Sequence, residues 1–433
     1  MLNKTSTTLW YSPWWKRVSI TLLSFGLVLF YATSQVSTAA GNATQDTWVA
    51  TWGASPFAFL SFNNAPPPGP FADQTIRQIV RISVGGARLQ VRFSNEVGTT
   101  PLRIGAATIA LADKESSIRP DSLHKLTFGG NTGITIPAGA PAVSDPVDLQ
   151  VDDLTELAVS MYLPETTAAS TVHMGRTAFV SSTGDFTTAA DLPGAVKSTT
   201  MFFLTGINVA VTETTGVIVT LGDSITDGAA STPHSYNSWP DHLAARLDGR
   251  GNGQREMAVI NHGISGNQLL SNGAGSSTLG RFDRDVLATP GLTHIVVMIG
   301  INDIGTGGRQ FPGSTAPPAP MRTAEDLIAG YRQLILRARS ESPSVKIYGA
   351  TLTPFAGTFE GYYTPEKDQV RMAVNQWIRT GGAYDGVIDF EKAIQDPGNP
   401  ARMAPAYDSG DKLHPGDAGY KRMAESIDLT LFE

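Results

Sequence analysis

The spacing of hydrophobic residues along the chain changes near residue 212. Between residues 48 and about 210, apolar and polar residues alternate over short runs, which is typical of strands with one buried face. Two packed sheets bury such strands well, so this part is predicted to be an all-β, sandwich-like domain. From residue 212 to 433, strand-like runs alternate with helical patterns, which predicts a parallel sheet flanked by helices.

A β-hairpin is predicted around Gly85-Gly86. The residues on either side alternate between apolar and polar, and a two-residue glycine turn would place the apolar side chains on one face. The expected facing pairs are Val84 with Ala87, Ile82 with Leu89 and Val80 with Val91. Residues 65–70, with four prolines, are predicted to be a loop.

In the second half the predicted strands are Val217–Leu221, Met257–Asn261, His294–Ile299, Val345–Leu352 and Gly386–Phe390. A capping box predicts a helix that begins after Thr323, and proline favours helix starts at Pro365 and Pro415. Five βα units imply a parallel sheet with helices on both faces, in which the site lies beyond the carboxyl ends of the strands. The fold expected for this half is flavodoxin-like.

Polar residues gather at those predicted strand ends. The first strand runs into the stretch VTLGDSITDG, which contains Gly222, Asp223 and Ser224. The other clusters are Asn261–Asn267, Gly300–Asp303 and, after the fifth strand, Asp411–Pro415. Alone, Ser224 is better explained as part of a helix cap than as a nucleophile. Together with the other clusters on one sheet edge, the nucleophile hypothesis is favoured.

These clusters supply the groups that ester hydrolysis needs. Ser224 can act as the nucleophile, His414 as the base for its proton, and Asp411 as the acid that holds the imidazole. The backbone N–H groups of Ser224 and Gly266 and the side-chain amide of Asn302 can form an oxyanion hole. His262, Ser265 and Asp303 are predicted to brace the loops.

Two metal-binding alternatives are less favoured. Asp227 with Asp223 resembles part of a calcium loop, but Ile225 occupies a ligand position and His234 stands where the closing Glu belongs. Asp408, Asp411 and His414 could instead bind a metal, but the triad explains more residues. Neither a metal nor an organic cofactor is therefore expected.

The order Gly222-Asp223-Ser224, Gly266, Gly300–Asp303 and Asp411-x-x-His414 resembles the SGNH hydrolases, also called GDSL esterases and lipases. The resemblance covers residues 212–433 and implies Ser224, Gly266, Asn302 and His414 as the four marked residues. Ile225 replaces the Leu of the GDSL name. Residues 237–241, 374–378 and 48–52 resemble a secreted two-domain branch of that superfamily, some of whose members are found with xylan-degrading enzymes. This resemblance suggests a carbohydrate O-acyl or aryl ester substrate.

The first forty residues are predicted to be an export signal. Three basic residues precede or border the apolar run Val18–Ala32, and small residues follow near Ala39. A run of about 15 residues is short for a membrane span, although an uncleaved anchor stays open. The formal charge of −7 argues against nucleic acid as a partner, and the chain has no cysteine.

We therefore predict a signal peptide (1–40), a β-sandwich-like domain (48–210) and an SGNH hydrolase domain (212–433) in a secreted or periplasmic protein. The expected activity is hydrolysis of short-chain carboxylic esters through an acyl-serine. The substrate would be a small-molecule or polysaccharide ester, with no stable membrane insertion once the leader is removed. A lipid esterase or lysophospholipase, a sugar O-acyltransferase and a polysaccharide-binding protein are the alternatives, and the oligomeric state is left open.

Overall fold

A computed structural model describes residues 46–60, 66–211, 214–248, 256–310 and 317–433. The predicted signal peptide lies outside these ranges. The strands of the N-terminal part are β1 (Thr47–Gly53), β2 (Gln74–Arg81), β3 (Gly86–Ser94), β4 (Leu102–Ile104), β5 (Ala106–Leu111), β6 (His124–Lys125), β7 (Ile134–Ile136), β8 (Pro141–Val143), β9 (Val147–Val151), β10 (Glu156–Leu163), β11 (Val172–Thr183), β12 (Val196–Phe202) and β13 (Leu204–Val211). A 3-10 helix spans Pro120–Ser122.

The strands of the C-terminal part are β14 (Gly216–Gly222), β15 (Met257–Gly263), β16 (Leu292–Met298), β17 (Lys346–Ala350), β18 (Gly386–Ile388), β19 (Gln395–Asp396) and β20 (Asn399–Met403). Its helices are α1 (Ser224–Asp227), α2 (Trp239–Asp248), α3 (Thr278–Phe282), α4 (Ile301–Thr306), α5 (Ala324–Glu341), α6 (Pro365–Thr380), α7 (Phe390–Ile394) and α8 (Asp417–Glu425). A π-helical turn follows α3 at Asp283–Leu287, and a 3-10 helix spans Leu429–Phe432.

Two large antiparallel sheets build the N-terminal part, and β4 and β7 pair as a small two-stranded sheet beside them. One has the strand order β1-β13-β3-β8, with β9 also paired to β3, and the other has the order β12-β11-β2-β10-β5-β6. Side chains from both sheets, such as Leu89 and Val159, are fully buried in the same hydrophobic core. The predicted sandwich-like all-β domain is therefore confirmed.

The predicted hairpin at Gly85-Gly86 is wrong. Strands β2 and β3 follow one another along the chain but lie in different sheets. Val80 of β2 is opposite Leu157, and Leu89 of β3 is opposite Val209, so none of the expected facing pairs forms. The alternation was correct for each strand, but their partners lie 47 or more residues away along the chain.

The two glycines are explained by the close approach of neighbouring backbone, and not by a turn. A Cβ atom at Gly85 would lie 2.3 Å from the carbonyl oxygen of Val151, and one at Gly86 would lie 2.6 Å from that of Ala210. Neither glycine adopts the positive φ that a two-residue hairpin turn requires. The segment between β2 and β3 thus crosses from one sheet to the other.

The C-terminal part contains a five-stranded parallel sheet in the order β15-β14-β16-β17-β18. This is the flavodoxin-like order, and it confirms the predicted fold class. The central strand β14 is buried at every residue. Gly222 at its end is opposite Gly263 of β15 and Met298 of β16, so the three following loops leave the sheet at one edge.

Local helix signals agree with the structure. Thr323 and Asp326 form a reciprocal capping box at the start of α5, and α6 begins at Pro365 as predicted. The last helix begins at Asp417 with Gly416 as its N-cap, two residues later than the predicted start at Pro415. Residues 46–433 pack as one compact unit. Across the described ranges, no helix combines the length and hydrophobicity that crossing a membrane requires.

Candidate active site

Ser224 lies at the start of a short helix directly beyond the buried strand β14. The preceding Asp223 is the N-cap of α1, and its Oδ1 accepts a hydrogen bond from the N–H of Ile225 at 3.0 Å. The cap that was the alternative to a nucleophile is therefore made by Asp223, and the Ser224 hydroxyl has a different partner. The Ser224 N–H, at the first helical position, has no acceptor within the helix.

The partner of the Ser224 hydroxyl is His414. Its Nε2 lies 2.8 Å from Ser224 Oγ, and its Nδ1 lies 2.6 Å from Asp411 Oδ2. An ionised carboxylate can only accept, so the proton resides on Nδ1 and Nε2 is left with its lone pair. This tautomer can accept the Ser224 proton, which is the arrangement of a serine-histidine-acid triad.

Asp411 is held in its ionised form. Partial burial acts to raise its pKa, but hydrogen bonds from the His414 ring and from the backbone N–H groups of His414 and Leu413 lower the pKa well below its usual range. The side chain of Asp411 is 45% exposed and that of His414 is 18% exposed. The acid and the base are thus at the protein surface, while Ser224 is almost covered.

The side-chain amide of Asn302 stands beside the Gly266 loop. Asn302 Nδ2 donates to the carbonyl of Asn267 at 3.0 Å, and its Oδ1 accepts from the Tyr362 hydroxyl at 2.8 Å. An amide nitrogen has two N–H groups, so one is left for a substrate oxyanion. Gly266 has a φ of +80°, a conformation that L side chains rarely adopt. The two predicted donors are therefore brought close together.

Tyr362 is a functional candidate that the sequence interpretation missed. It is fully buried, and its hydroxyl fixes which way round the Asn302 amide points. Burial raises the pKa of Tyr362 well above its usual range, so the hydroxyl keeps its proton and donates. No motif links residues 302 and 362 in the sequence, because α5 and β17 lie between them.

Buried carboxyl groups brace the site, as predicted for Asp303. Its two oxygens accept from the backbone N–H groups of Leu269 and Leu270 at 2.7 and 3.0 Å, which ties α4 to the Gly266 loop. Burial raises the pKa of Asp303 to about 6, although these N–H groups act to lower it. Burial also raises the pKa of Asp223 to about 7.

Arg281 joins several strand ends beneath the site. It is buried, and its guanidinium donates to the carbonyl oxygens of Gly222 and His262 at 2.9 and 2.8 Å, and to Asn267 Oδ1 at 3.0 Å. A further hydrogen bond at 3.0 Å reaches Ser55, in the N-terminal part. His262 and Ser265 are structural hydrogen bonders, as predicted, since His262 Nδ1 lies 3.0 Å from Ser55 Oγ and Ser265 binds Asp227.

Asp408, one of the three residues of the alternative metal site, has other hydrogen-bond partners in the structure. Asp408 accepts hydrogen bonds from Lys412 Nζ at 2.6 Å and from the backbone N–H groups of Gly410 and Lys412. Within the described ranges, no three His, Asp or Glu side chains cluster in a way that could hold a metal ion. The sequence also predicts a Gly- and Pro-rich loop at residues 305–320, which could be a lid over the substrate or a surface insertion, and its residues 311–316 lie outside the described residues.

His414 lies within hydrogen-bond distance of both Ser224 and Asp411 beyond the carboxyl ends of a flavodoxin-like sheet, which is the geometry expected of a serine-dependent hydrolase. Residues 220–422, just under half of the chain, match the GDSL-like lipase/acylhydrolase family. This part of the chain is a domain of that family, and it is accordingly an ester hydrolase domain. No curated protein matches the sequence significantly.

Solved structures with similar parts include a carbohydrate acetylesterase from Sinorhizobium meliloti, with 18% identity, a TM-score of 0.37 and coverage of 50% of this chain and 98% of that one. A catalytic mutant of an acetylxylan esterase from Geobacillus stearothermophilus shows 22% identity, a TM-score of 0.35 and coverage of 49% and 91%. At these identities and scores, the similarities say nothing about the substrate of this chain.

Proposed function

We propose that this chain is an exported serine ester hydrolase that forms an acyl-enzyme on Ser224. The observation that carries the proposal is the position of His414, whose two ring nitrogens reach Ser224 Oγ at 2.8 Å and Asp411 Oδ2 at 2.6 Å. The proposed export rests on the signal-like pattern of residues 1–40.

In the proposed reaction, Ser224 Oγ attacks the carbonyl carbon of the ester while its proton moves to His414 Nε2. Asp411 keeps the imidazole in the required tautomer and stabilises the imidazolium that forms. The C–O bond to the alcohol then breaks, and His414 returns the proton to the leaving alcohol oxygen. Water, deprotonated by His414, attacks the acyl-serine and releases the acid, which restores the Ser224 hydroxyl.

Negative charge develops on the carbonyl oxygen in both steps. The Ser224 and Gly266 N–H groups and the remaining N–H of the Asn302 amide are the proposed donors to it. Such a donor is worth about 10²–10³ in kcat when it is aimed at the oxyanion before the reaction begins. The hydrogen bond from Tyr362 and that to the Asn267 carbonyl hold the Asn302 amide in this orientation.

The proposed substrate is a short-chain acyl ester of a carbohydrate. The half-exposed Asp411 and the partly exposed His414 place the leaving-group side of the triad at the surface, which leaves room for a bulky alcohol. Residues 237–241 and 374–378 support the same choice through their resemblance to esterases found with xylan-degrading enzymes.

The test compares purified protein lacking residues 1–40 with its Ser224→Ala variant on p-nitrophenyl acetate, p-nitrophenyl octanoate and acetylated xylan. We expect turnover of the acetate ester and release of acetate from xylan, both abolished in the variant. Ser426 is an exposed serine at the C-cap of α8, and a Ser426→Ala variant should hydrolyse these esters at the rate of the parent. Turnover that survives Ser224→Ala would contradict the nucleophile.

The same assay separates the alternative substrates. A clear preference for octanoate would indicate a lipid esterase instead of a carbohydrate esterase. Transfer of the acetyl group to an added sugar, in place of free acetate, would indicate an acyltransferase that uses the same acyl-serine. Retention on polysaccharide without turnover of any ester would indicate a binding protein.

A further inference from the structure

Asp227, the last residue of the nucleophile helix α1, is held by two side chains of the N-terminal part. Its Oδ1 lies 3.1 Å from His173 Nε2 and 3.0 Å from a terminal nitrogen of Arg176. Arg176 also donates to the backbone carbonyl of Asp227 at 3.1 Å. One guanidinium therefore binds both the side chain and the main chain at the end of α1.

This contact is an ionic one in a buried place. The Asp227 side chain is only 4% exposed, so water and salt screen the pair weakly. Burial acts to raise the pKa of Asp227, but Arg176 and His173 outweigh it and lower the pKa below its usual range. The carboxylate is thus ionised at neutral pH and can hold the guanidinium firmly.

The second carboxylate oxygen of Asp227 reaches the other side of the site. Asp227 Oδ2 accepts from the Ser265 hydroxyl at 2.9 Å, and Ser265 directly precedes the proposed oxyanion donor Gly266. Ser224 lies one helical turn before Asp227. A single carboxylate therefore connects the nucleophile turn with the oxyanion loop, and Arg176 sets where that carboxylate sits.

His173 and Arg176 both lie on strand β11 of the N-terminal part. The register of β11 against β12 shifts between Met174 and Ala178, so Arg176 lies in a bulge or similar irregularity of the strand. Bulges bend a strand and re-aim side chains, and they are frequent next to active sites. His173, just before this irregularity, is braced at its other ring nitrogen by the Ser55 carbonyl at 2.8 Å.

We propose that Arg176 is a positioning residue of the ester hydrolase site, so that the β-rich N-terminal part takes part in catalysis. This inference rests on the proposed function of Ser224. Arg176 acts through Asp227: it fixes the end of α1 and, by way of Ser265, the loop that carries Gly266. A misplacement of about 1 Å at a reacting group can cost about 10²-fold in rate.

The test uses the whole chain after the leader, with Arg176→Ala, Arg176→Lys and the control Arg103→Ala. Arg103 lies on β4 of the same part and pairs with Glu165 at 3.5 Å on the surface. We expect Arg176→Ala to lower kcat for p-nitrophenyl acetate by about 10- to 100-fold, with KM changed less than about twofold. Arg103→Ala should leave both constants unchanged.

The conservative variant separates positioning from a general loss of stability. A lysine keeps the charge but lacks the fork that binds the carboxylate and the carbonyl together. Arg176→Lys should therefore fold with the thermal stability of the parent and recover only part of the lost kcat. If Arg176→Ala does not fold, the kcat of Arg176→Lys decides, and a value equal to that of the parent would overturn the proposal.

Crystal structures of the parent and of Arg176→Ala test the positions of the site residues independently of any catalytic activity. We expect the 2.8 Å contact between Ser224 Oγ and His414 Nε2 to lengthen, or the Ser265 loop to shift, in the variant only. An unchanged site together with an unchanged kcat would refute the positioning role. If the parent hydrolyses no ester but helix α1 shifts in Arg176→Ala, the proposed function is wrong, while the inference that Arg176 positions α1 is supported.

Discussion

Replacing Asp223 by asparagine removes one titratable group beside the nucleophile and keeps the shape of the side chain. The Asp223 carboxyl is 1% exposed and caps α1 through the N–H of Ile225, a bond that an asparagine oxygen also accepts. Burial raises the pKa of Asp223 from its ordinary value of 3.8 to about 7. The variant Asp223→Asn therefore isolates the free-energy effect of that ionisation.

The sign and size of the effect follow from proton linkage. Between pH 3.8 and about 7, the folded protein binds more protons at Asp223 than the unfolded chain does, so the free energy of unfolding falls as the pH rises. The free-energy cost of ionising the buried Asp223, about 4 kcal/mol, is fully present above pH 7 and vanishes below about pH 4. Asparagine has no such cost. The stability of Asp223→Asn relative to the parent should therefore increase by about 2–3 kcal/mol between pH 5 and pH 8.

The assay is urea unfolding of both proteins at pH 5, 6, 7 and 8, followed by tryptophan fluorescence. Asp389→Asn is the matched control, since Asp389 is also an N-cap residue, at the start of α7. Burial opposes it, but hydrogen bonds from Arg379 lower the pKa of Asp389, so its carboxylate stabilises the fold at neutral pH and less as the pH falls. Asp389 is ionised in both the folded and the unfolded state between pH 5 and pH 8, so Asp389→Asn should be less stable than the parent by a constant amount over this range. A constant difference between Asp223→Asn and the parent across this range would refute the assigned burial cost.

Two further predictions concern the oxyanion hole and the triad. Tyr362→Phe should lower kcat about 5- to 30-fold at unchanged KM, because the Asn302 amide loses the buried hydrogen bond that orients it. Steady-state kinetics will check this against Asn302→Ala, whose kcat should fall by about 10²–10³. Asp411→Asn should lower kcat by about 10²–10⁴, because the amide can donate to His414 Nδ1 and favour the tautomer that cannot take the Ser224 proton. Wild-type kinetics in either variant would contradict the corresponding role.

Local signals in the sequence were sufficient for most of the elements and for expecting Ser224, Asp411 and His414 at one edge of the sheet. The break from β14 into Asp223 and Ser224, the capping box at Thr323 and the proline at 365 each depend on neighbouring residues alone. Parallel strands bring their carboxyl ends to one edge, so the clusters after three strands could be placed together without knowing any contact.

Long-range pairing could not be predicted in the same way. The strands around Gly85 alternate like a hairpin, but alternation fixes only which face is buried and not which strand is the neighbour. Tyr362 and Arg176 likewise follow no local period. Their partners, Asn302 and Asp227, lie about 50–60 residues away along the chain, and only the packing of the whole unit brings them into contact.

The relation between the two parts of the chain follows from where buried polar groups find their partners. Without the β-rich part, Asp227 would keep Ser265 but lose Arg176 and His173, and Arg281 would lose Ser55. In the intact chain, where Asp227 stays buried, removing one partner of such a charge costs about 3–5 kcal/mol, and this cost would fall on the turn that carries Ser224. An appended binding module would contact the catalytic part away from its nucleophile. Here the contacts converge on the end of the nucleophile helix and on the strand ends beneath it, so the β-rich part completes the electrostatic balance of the site.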